Sequence, residues 1–147
     1  MKEEMMRLAL EQAKAALGSG DVPVGAVVTC EDRVIAVACN EREACGDPTA
    51  HAEVLALRRA AKALGRRRLD GCKLYVTLEP CPMCAGAIAL SGLDEVYYGA
   101  YDSRAGCAGS VYALTEDPAF GRGVPASGGL LEEECSSMLR QFFEEKR

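Results

Sequence analysis

Cys72-Lys73-Leu74-Tyr75-Val76-Thr77-Leu78-Glu79-Pro80-Cys81-Pro82-Met83-Cys84 is the stretch that decides the fold. Residues 72–78 carry the β-branched and aromatic content of a strand. Pro80 ends that strand, and a helix is expected from Cys81 to Leu90, stopping before Ser91-Gly92. Pro82 suits the first turn, where its missing N–H would have had no partner anyway. Cys81 and Cys84 are three apart, so at a helix start both sulfurs point the same way. The positive end of the helix favours thiolates there. A strand running into a helix that opens on C-x-x-C is the core of an α/β unit with a soft metal site at its tip.

The second half of that site lies upstream, in Asp47-Pro48-Thr49-Ala50-His51-Ala52-Glu53, which holds the only histidine of the chain. Asp47 reads as an N-cap and Pro48 as the first residue of a helix reaching Leu64, before Gly65. His51 and Glu53 are about 200° apart on an ideal helix, so they can share a site only if it lies off the helix end. The arrangement expected is two helix starts facing one ion, His51 on one and Cys81 and Cys84 on the other.

Two thiolates and an imidazole select zinc over magnesium or calcium. Three protein ligands leave a fourth position for water, as in catalytic rather than structural sites. Zinc brings the pKa of that water to about 7, so hydroxide is available at neutral pH. Glu53 is then placed to take the water's proton and hand it to a substrate. The chemistry is hydrolytic removal of an amino group from an aromatic ring. Taken singly, C-x-x-C is common in structural and redox pairs, and H-x-E is frequent by chance; their conjunction in strand-then-helix context is what carries the reading. The competing class, a non-catalytic zinc module, would need a fourth protein ligand such as Cys72 or Cys107.

The rest of the chain fits one domain over residues 1–147. Met5, Leu8, Ala9, Ala13, Ala16 and Leu17 recur at helical spacing over 2–17, with Gly18 as the stop. Strands over 22–30 and 33–39, joined at Glu31-Asp32, read as a hairpin, and 40–46 as a polar loop. A fourth strand is expected over 95–99, a short helix near 111–114, a last strand near 123–126, and a final helix over 130–144. That helix would turn Leu131, Cys135, Met138, Leu139, Phe142 and Phe143 inward. Hairpin, helix, strand, helix, strand, helix reads as α/β with helices on both faces of a sheet.

The net charge of −5 argues against a surface that binds nucleic acid all over, without excluding a local basic site. The densest basic run is Arg58, Arg59, Lys62, Arg66, Arg67 and Arg68; it reads first as a solvated helix end, and second as an RNA contact. Met1 to Met6 lack the apolar stretch of an export signal, so the cytoplasm is expected. In a reducing compartment the eight cysteines are expected as small apolar residues or metal ligands rather than disulfides, and the sequence is silent on the roles of Cys45, Cys107 and Cys135. Cys30, Cys39 and Cys72 are assigned to strands or core.

The H-x-E … P-C-x-x-C pattern resembles the zinc nucleobase deaminase signature. The match is finer with the bacterial tRNA-specific adenosine deaminases. It rests on Val22-Pro23-Val24-Gly25-Ala26, on 47–53, on Tyr75 through Ala87, on Gly106-Cys107-Ala108-Gly109-Ser110 and on Leu131 to Cys135 with Phe142-Phe143. The resemblance implies a three-layer α/β/α sandwich of the cytidine deaminase type, with a five-stranded mixed sheet. It implies a homodimer with one Zn2+ per subunit that converts the wobble adenosine of the tRNA anticodon loop to inosine. By the same resemblance His51, Cys81 and Cys84 hold zinc, Glu53 shuttles protons, and Asn40, Asp102 and Ser103 touch the substrate. A turn role for Asn40 and simple loop polarity for Asp102 and Ser103 remain open alternatives. So does a substrate that is a free base or nucleoside of the guanine or cytosine type. The family usually carries Asn-His-Arg-Val after the residue matching Phe120; here the chain reads Gly121-Arg122-Gly123-Val124.

Overall fold

Residues 1–146 are described by a computed structural model. Helix α1 (Lys2–Leu17) has the expected bounds, and its buried stripe is Met6, Ala9, Leu10, Ala13 and Ala16. The left-handed stop falls at Gly20, not at Gly18, whose φ is −61°. Strand β1 (Gly25–Cys30) begins later than the sequence suggests. Pro23 has no N–H to give to a ladder. The carbonyls on either side of it are taken by Asn40, whose Nδ2 donates to Val22 and whose backbone N–H donates to Val24.

β1 turns at Glu31-Asp32, both left-handed with φ of 51° and 64°. That is the backbone of a tight two-residue hairpin turn matched to strand twist. Strand β2 (Arg33–Cys39) returns antiparallel to β1. The expected polar loop then contains one short helix, α2 (Arg42–Cys45), closed by Gly46 in the left-handed region.

Asp47 does not cap the next helix. It closes its own turn, its Oδ1 accepting from the Thr49 N–H and hydroxyl, each at 2.8 Å. Helix α3 (Ala52–Leu64) starts five residues later, with His51 at the N-cap position. The cap is supplied from a distance by Asn40, whose Oδ1 accepts from the Ala52 N–H at 2.9 Å.

Strand β3 (Cys72–Leu78), helix α4 (Pro82–Ser91) and strand β4 (Glu95–Ala100) stand within a residue of expectation. The short helix expected at 111–114 is absent; the chain makes single 3₁₀ turns at Leu114–Glu116 and Pro118–Phe120 instead. The last strand, β5, is Ala126–Ser127, and helix α5 is Glu132–Glu145.

The sheet order is β2-β1-β3-β4-β5, antiparallel over the first three strands and parallel over the last three. It is the expected five-stranded mixed sheet between two layers of helix. α1 and α5 lie on one face. There Gly25 and Gly99 give closest approach: a Cβ on the first would overlap the Ala9 carbonyl, and on the second the Cys135 sulfur. α3 and α4 lie together on the other face. Val27, Val28, Leu74, Val76, Ile88 and Val96 form the centre of the core. β3 and α4 thus deliver Cys81 and Cys84 to the same edge of the sheet at which α3 begins.

Candidate active site

Two helix starts meet at this edge. His51 is the N-cap residue of α3 and Cys81 that of α4, both with extended backbones, and Cys84 lies in the first turn of α4. The His51 Nδ1 is 3.7 Å from the Cys81 sulfur and 3.5 Å from the Cys84 sulfur. All three ligand atoms fall within 4.8 Å of one another. A tetrahedral zinc with Zn–S of about 2.3 Å and Zn–N of about 2.0 Å separates N from S by about 3.5 Å. The donor set and its spacing therefore fit zinc. Among the described residues no fourth His, Cys or carboxylate joins the group. Cys72 opens β3 at the strand's far end, opposite Cys30 of β1. Cys107 is buried outside the cluster.

Glu53 is 4 % exposed and lines the same cavity as His51 and Cys81. At the start of α3 the two side chains of H-x-E do reach one site, as the off-the-end geometry required. Burial pushes the Glu53 carboxyl up to about 7, with Cys81 adding to the effect; its own N–H, His51 and Cys84 pull the other way. A carboxyl poised near neutrality can both accept and release a proton.

Bonds accepted from Cys84 and from His51 bring Cys81 down to about 4. The same Cys81 bond, with burial, pushes Cys84 up. Zinc takes both sulfurs as thiolates, so binding of the ion releases any proton the pair holds. His51 is raised, chiefly by its bond to Cys81.

The cavity over this group has a volume of about 230 Å³. Val22, Val24 and Leu78 give it apolar walls, and Asn40, Arg42, Asp102 and Phe143 stand around it. A larger cavity of about 440 Å³, between Pro82, Leu90, Leu114 and Phe120, contains no titratable group and lies apart from the triad.

Asn40 borders the site, yet both ends of its side chain are engaged, one with Val22 and one with Ala52. Asp102 borders it too, its Oδ1 accepting from the N–H groups of Arg104 and Ala105. Ser103 lies in an adjoining groove with Tyr101, Arg104 and Phe143. Phe143, expected to point inward, is half exposed and lines both spaces.

Glu79 was invisible as a site residue in the sequence. It is 2 % exposed, and its carboxylate accepts from the N–H groups of Asp102, Ala108 and Ser110 and from the Ser110 hydroxyl. Gly106 passes so close that a Cβ there would strike this carboxylate. One buried acid therefore holds residues 102–110 against the cavity.

Of the basic run, Arg59 bonds the Val37 carbonyl and Glu41, and Arg68 pairs with Asp70. Arg122, at the departure from the family pattern, braces Asp70 and the Gly92 carbonyl.

The family model for the cytidine and deoxycytidylate deaminase zinc-binding region matches residues 1–100. The tRNA-specific adenosine deaminase of Bacillus subtilis is 47 % identical over 145 residues, covering 99 % of this chain and 90 % of that one. A structure from work on A-to-I editing by tRNA:A34 deaminases at the wobble position superposes with a TM-score of 0.89. Its identity is 41 %, over 92 % of this chain and 99 % of the other. The guanine deaminase of Nitrosomonas europaea superposes at 0.78 with 28 % identity, over 95 % of this chain and 83 % of that one.

Proposed function

The chain belongs to the cytidine and deoxycytidylate deaminase zinc-binding family, and from that premise we propose that it hydrolyses the wobble adenosine of a tRNA anticodon to inosine. The observation that carries the substrate is the near full-length similarity to tRNA-specific adenosine deaminases, which exceeds that to guanine deaminase. His51, Cys81 and Cys84 are the residues that would hold one zinc per subunit. Bound there, zinc supplies a Lewis acid that lowers the pKa of a water to about 7.

Glu53 takes the proton of the attacking water and gives it to the ring nitrogen beside the amine-bearing carbon. A second transfer through Glu53 protonates the amine, and the carbon–nitrogen bond breaks. Adenosine and water become inosine and ammonia. Burial of Glu53 suits both transfers, since its carboxyl near 7 matches the working pH. Val22, Val24 and Leu78 give the cavity apolar walls beside Glu53. Asn40, Asp102 and Ser103 are assigned to the nucleotide and its neighbours. For Asn40 this means its amide meets the substrate while still tied to Ala52.

The whole chain acts as one deaminase domain in the cytoplasm, where tRNA is found. The functional unit is a homodimer joined through α4. Leu90 is 77 % exposed on that helix, with Met83 and the neighbouring Phe120 also out in solvent. Apolar cavities border Leu90 on two sides. A second copy covers such a face more readily than water does. Leu90→Arg is expected to give monomers in sedimentation; an unchanged dimer would place the contact elsewhere.

The deciding assay offers zinc-loaded protein an anticodon stem-loop with a wobble adenosine, and separately guanine and cytidine. Inosine in the RNA alone supports the reading, and turnover of free bases alone overturns it. Glu53→Ala should keep its zinc and lose deamination. Retained activity would remove Glu53 from the proton path.

A further inference from the structure

Among the described residues, Arg42 is the one arginine or lysine lining the cavity over the triad. In the sequence it stands in 40–46, a polar stretch with no local mark of a site. In the fold it is held with unusual care. Its Nε and one terminal nitrogen donate to the same oxygen of Asp21, at 3.0 and 2.8 Å. Asp21 is 1 % exposed, and it also accepts from the backbone N–H groups of Val22 at 2.8 Å and Glu43 at 3.1 Å. Four N–H donors therefore converge on one buried carboxylate. That carboxylate fixes the guanidinium, the wall residue Val22 and the start of α2 in one arrangement.

The fixed guanidinium is not used up. Its side chain is 35 % exposed, and the third nitrogen, Nη1, has no partner among the described residues. Around it the lining residues Glu53, Glu79 and Asp102 are all acids. A polyanion approaching this mouth meets one fixed cation with a free donor edge. A guanidinium bonded along one edge to carboxylate presents the other to phosphate in a set plane.

We infer that Arg42 binds a phosphodiester of the RNA strand beside the target nucleotide, with Asp21 as the positioning residue that aims it. The inference rests on the RNA reading above and deepens it, since it names a backbone contact that a free-base deaminase would not need. If Arg42 served the fold alone, it would leave the salt dependence of catalysis untouched.

The test measures deamination of the anticodon stem-loop by Arg42→Gln and wild type, both zinc-loaded, over a range of salt. Losing one charge-assisted contact should raise KM about ten-fold with kcat little changed. It should flatten the slope of log(kcat/KM) against log[salt] by about 0.7, the share of one phosphate on a single strand. A methylphosphonate placed in turn on either side of the wobble adenosine should weaken the wild type at one of the two positions. At that position it should cost Arg42→Gln almost nothing further.

Full additivity at both positions, or an unchanged salt slope, overturns the inference while leaving the deaminase reading intact. Absence of inosine with wild type overturns both. Should Arg42→Gln fail to fold, Arg42→Lys with the same methylphosphonates decides. A smaller methylphosphonate penalty in Arg42→Lys than in wild type at one of the two positions supports the contact, and a wild type indifferent to both methylphosphonates refutes it.

Discussion

Replacing Glu79 by glutamine changes one atom and should be costly. Oε1 accepts from the Asp102 N–H at 3.0 Å and from the Ser110 hydroxyl. Oε2 accepts from the N–H groups of Ala108 at 3.1 Å and Ser110 at 2.9 Å. In Glu79→Gln an NH2 must take one of these places. On the Oε2 side it would face two backbone donors that cannot turn away. On the Oε1 side the Ser110 hydroxyl can rotate to accept, and only the Asp102 N–H is stranded, so that orientation is the cheaper. Its cost is one lost bond to a charged group, about 1.5–3 kcal/mol, plus a part-buried donor left unpaired, about 1–3 kcal/mol. The sum, about 2.5–6 kcal/mol, is large beside a total stability of about 5–15 kcal/mol. With a urea slope of about 2 kcal/mol/M, the midpoint should fall by about 1–3 M. Urea denaturation of zinc-loaded wild type and variant, followed by circular dichroism, reads this directly. Because the Glu79 carboxylate hydrogen-bonds to residues 102–110 and to none of the metal ligands, zinc content should stay unchanged while activity on the stem-loop drops. A midpoint within about 0.3 M of wild type would refute the claim that this carboxylate carries the loop.

Asn40→Ala should strand the Ala52 N–H, which is wholly buried, at about 1–3 kcal/mol. The melting temperature should fall by about 2–4 °C per kcal/mol, and Asn40→Asp, which keeps the accepting oxygen, should recover part of it. Asp21 is a test of pH. Burial alone would raise its carboxyl, but Arg42 and the N–H groups of Glu43 and Val22 bring it below its ordinary 3.8. Its contribution to stability is therefore complete above about pH 4 and lost as pH falls through the depressed value. Urea midpoints of wild type and Asp21→Asn should differ near neutrality and converge in acid; a constant gap would contradict this. Stripping the metal with a chelator should lower the melting temperature and be reversed by zinc, because the ligands join two helices.

The triad was legible because its residues lie in short local signals. C-x-x-C after Pro80 gives a helix start from sequence alone, and the single histidine left no alternative imidazole. β3 and α4 were legible for the same reason. The start of α3 was not. Asp47 and Pro48 carry every local mark of a helix opening, but Asn40 satisfies the Ala52 N–H from twelve residues away. No window of sequence reveals that long-range cap. Phe143 follows the apolar spacing of α5 yet falls at the edge of the sheet's cover, where the helix overhangs the cavity. Asp21, Arg42 and Glu79 escaped notice for one reason. Each is a charged residue whose role depends on donors or acceptors that only folding brings near.

The metal ligands stand at the starts of α3 and α4, whereas the wall residues 102–110 are held by the Glu79 carboxylate after β3 and by one backbone bond from the Cys107 N–H to the Pro80 carbonyl. The two supports share no side chain. A lineage can therefore rebuild the wall to admit a different amine-bearing ring without disturbing the reaction centre. That separation of side chains is compatible with the likeness of this fold to both a tRNA:A34 deaminase and a guanine deaminase. For protein engineers it marks the wall as the part to diversify and the two helix starts as the part to leave alone.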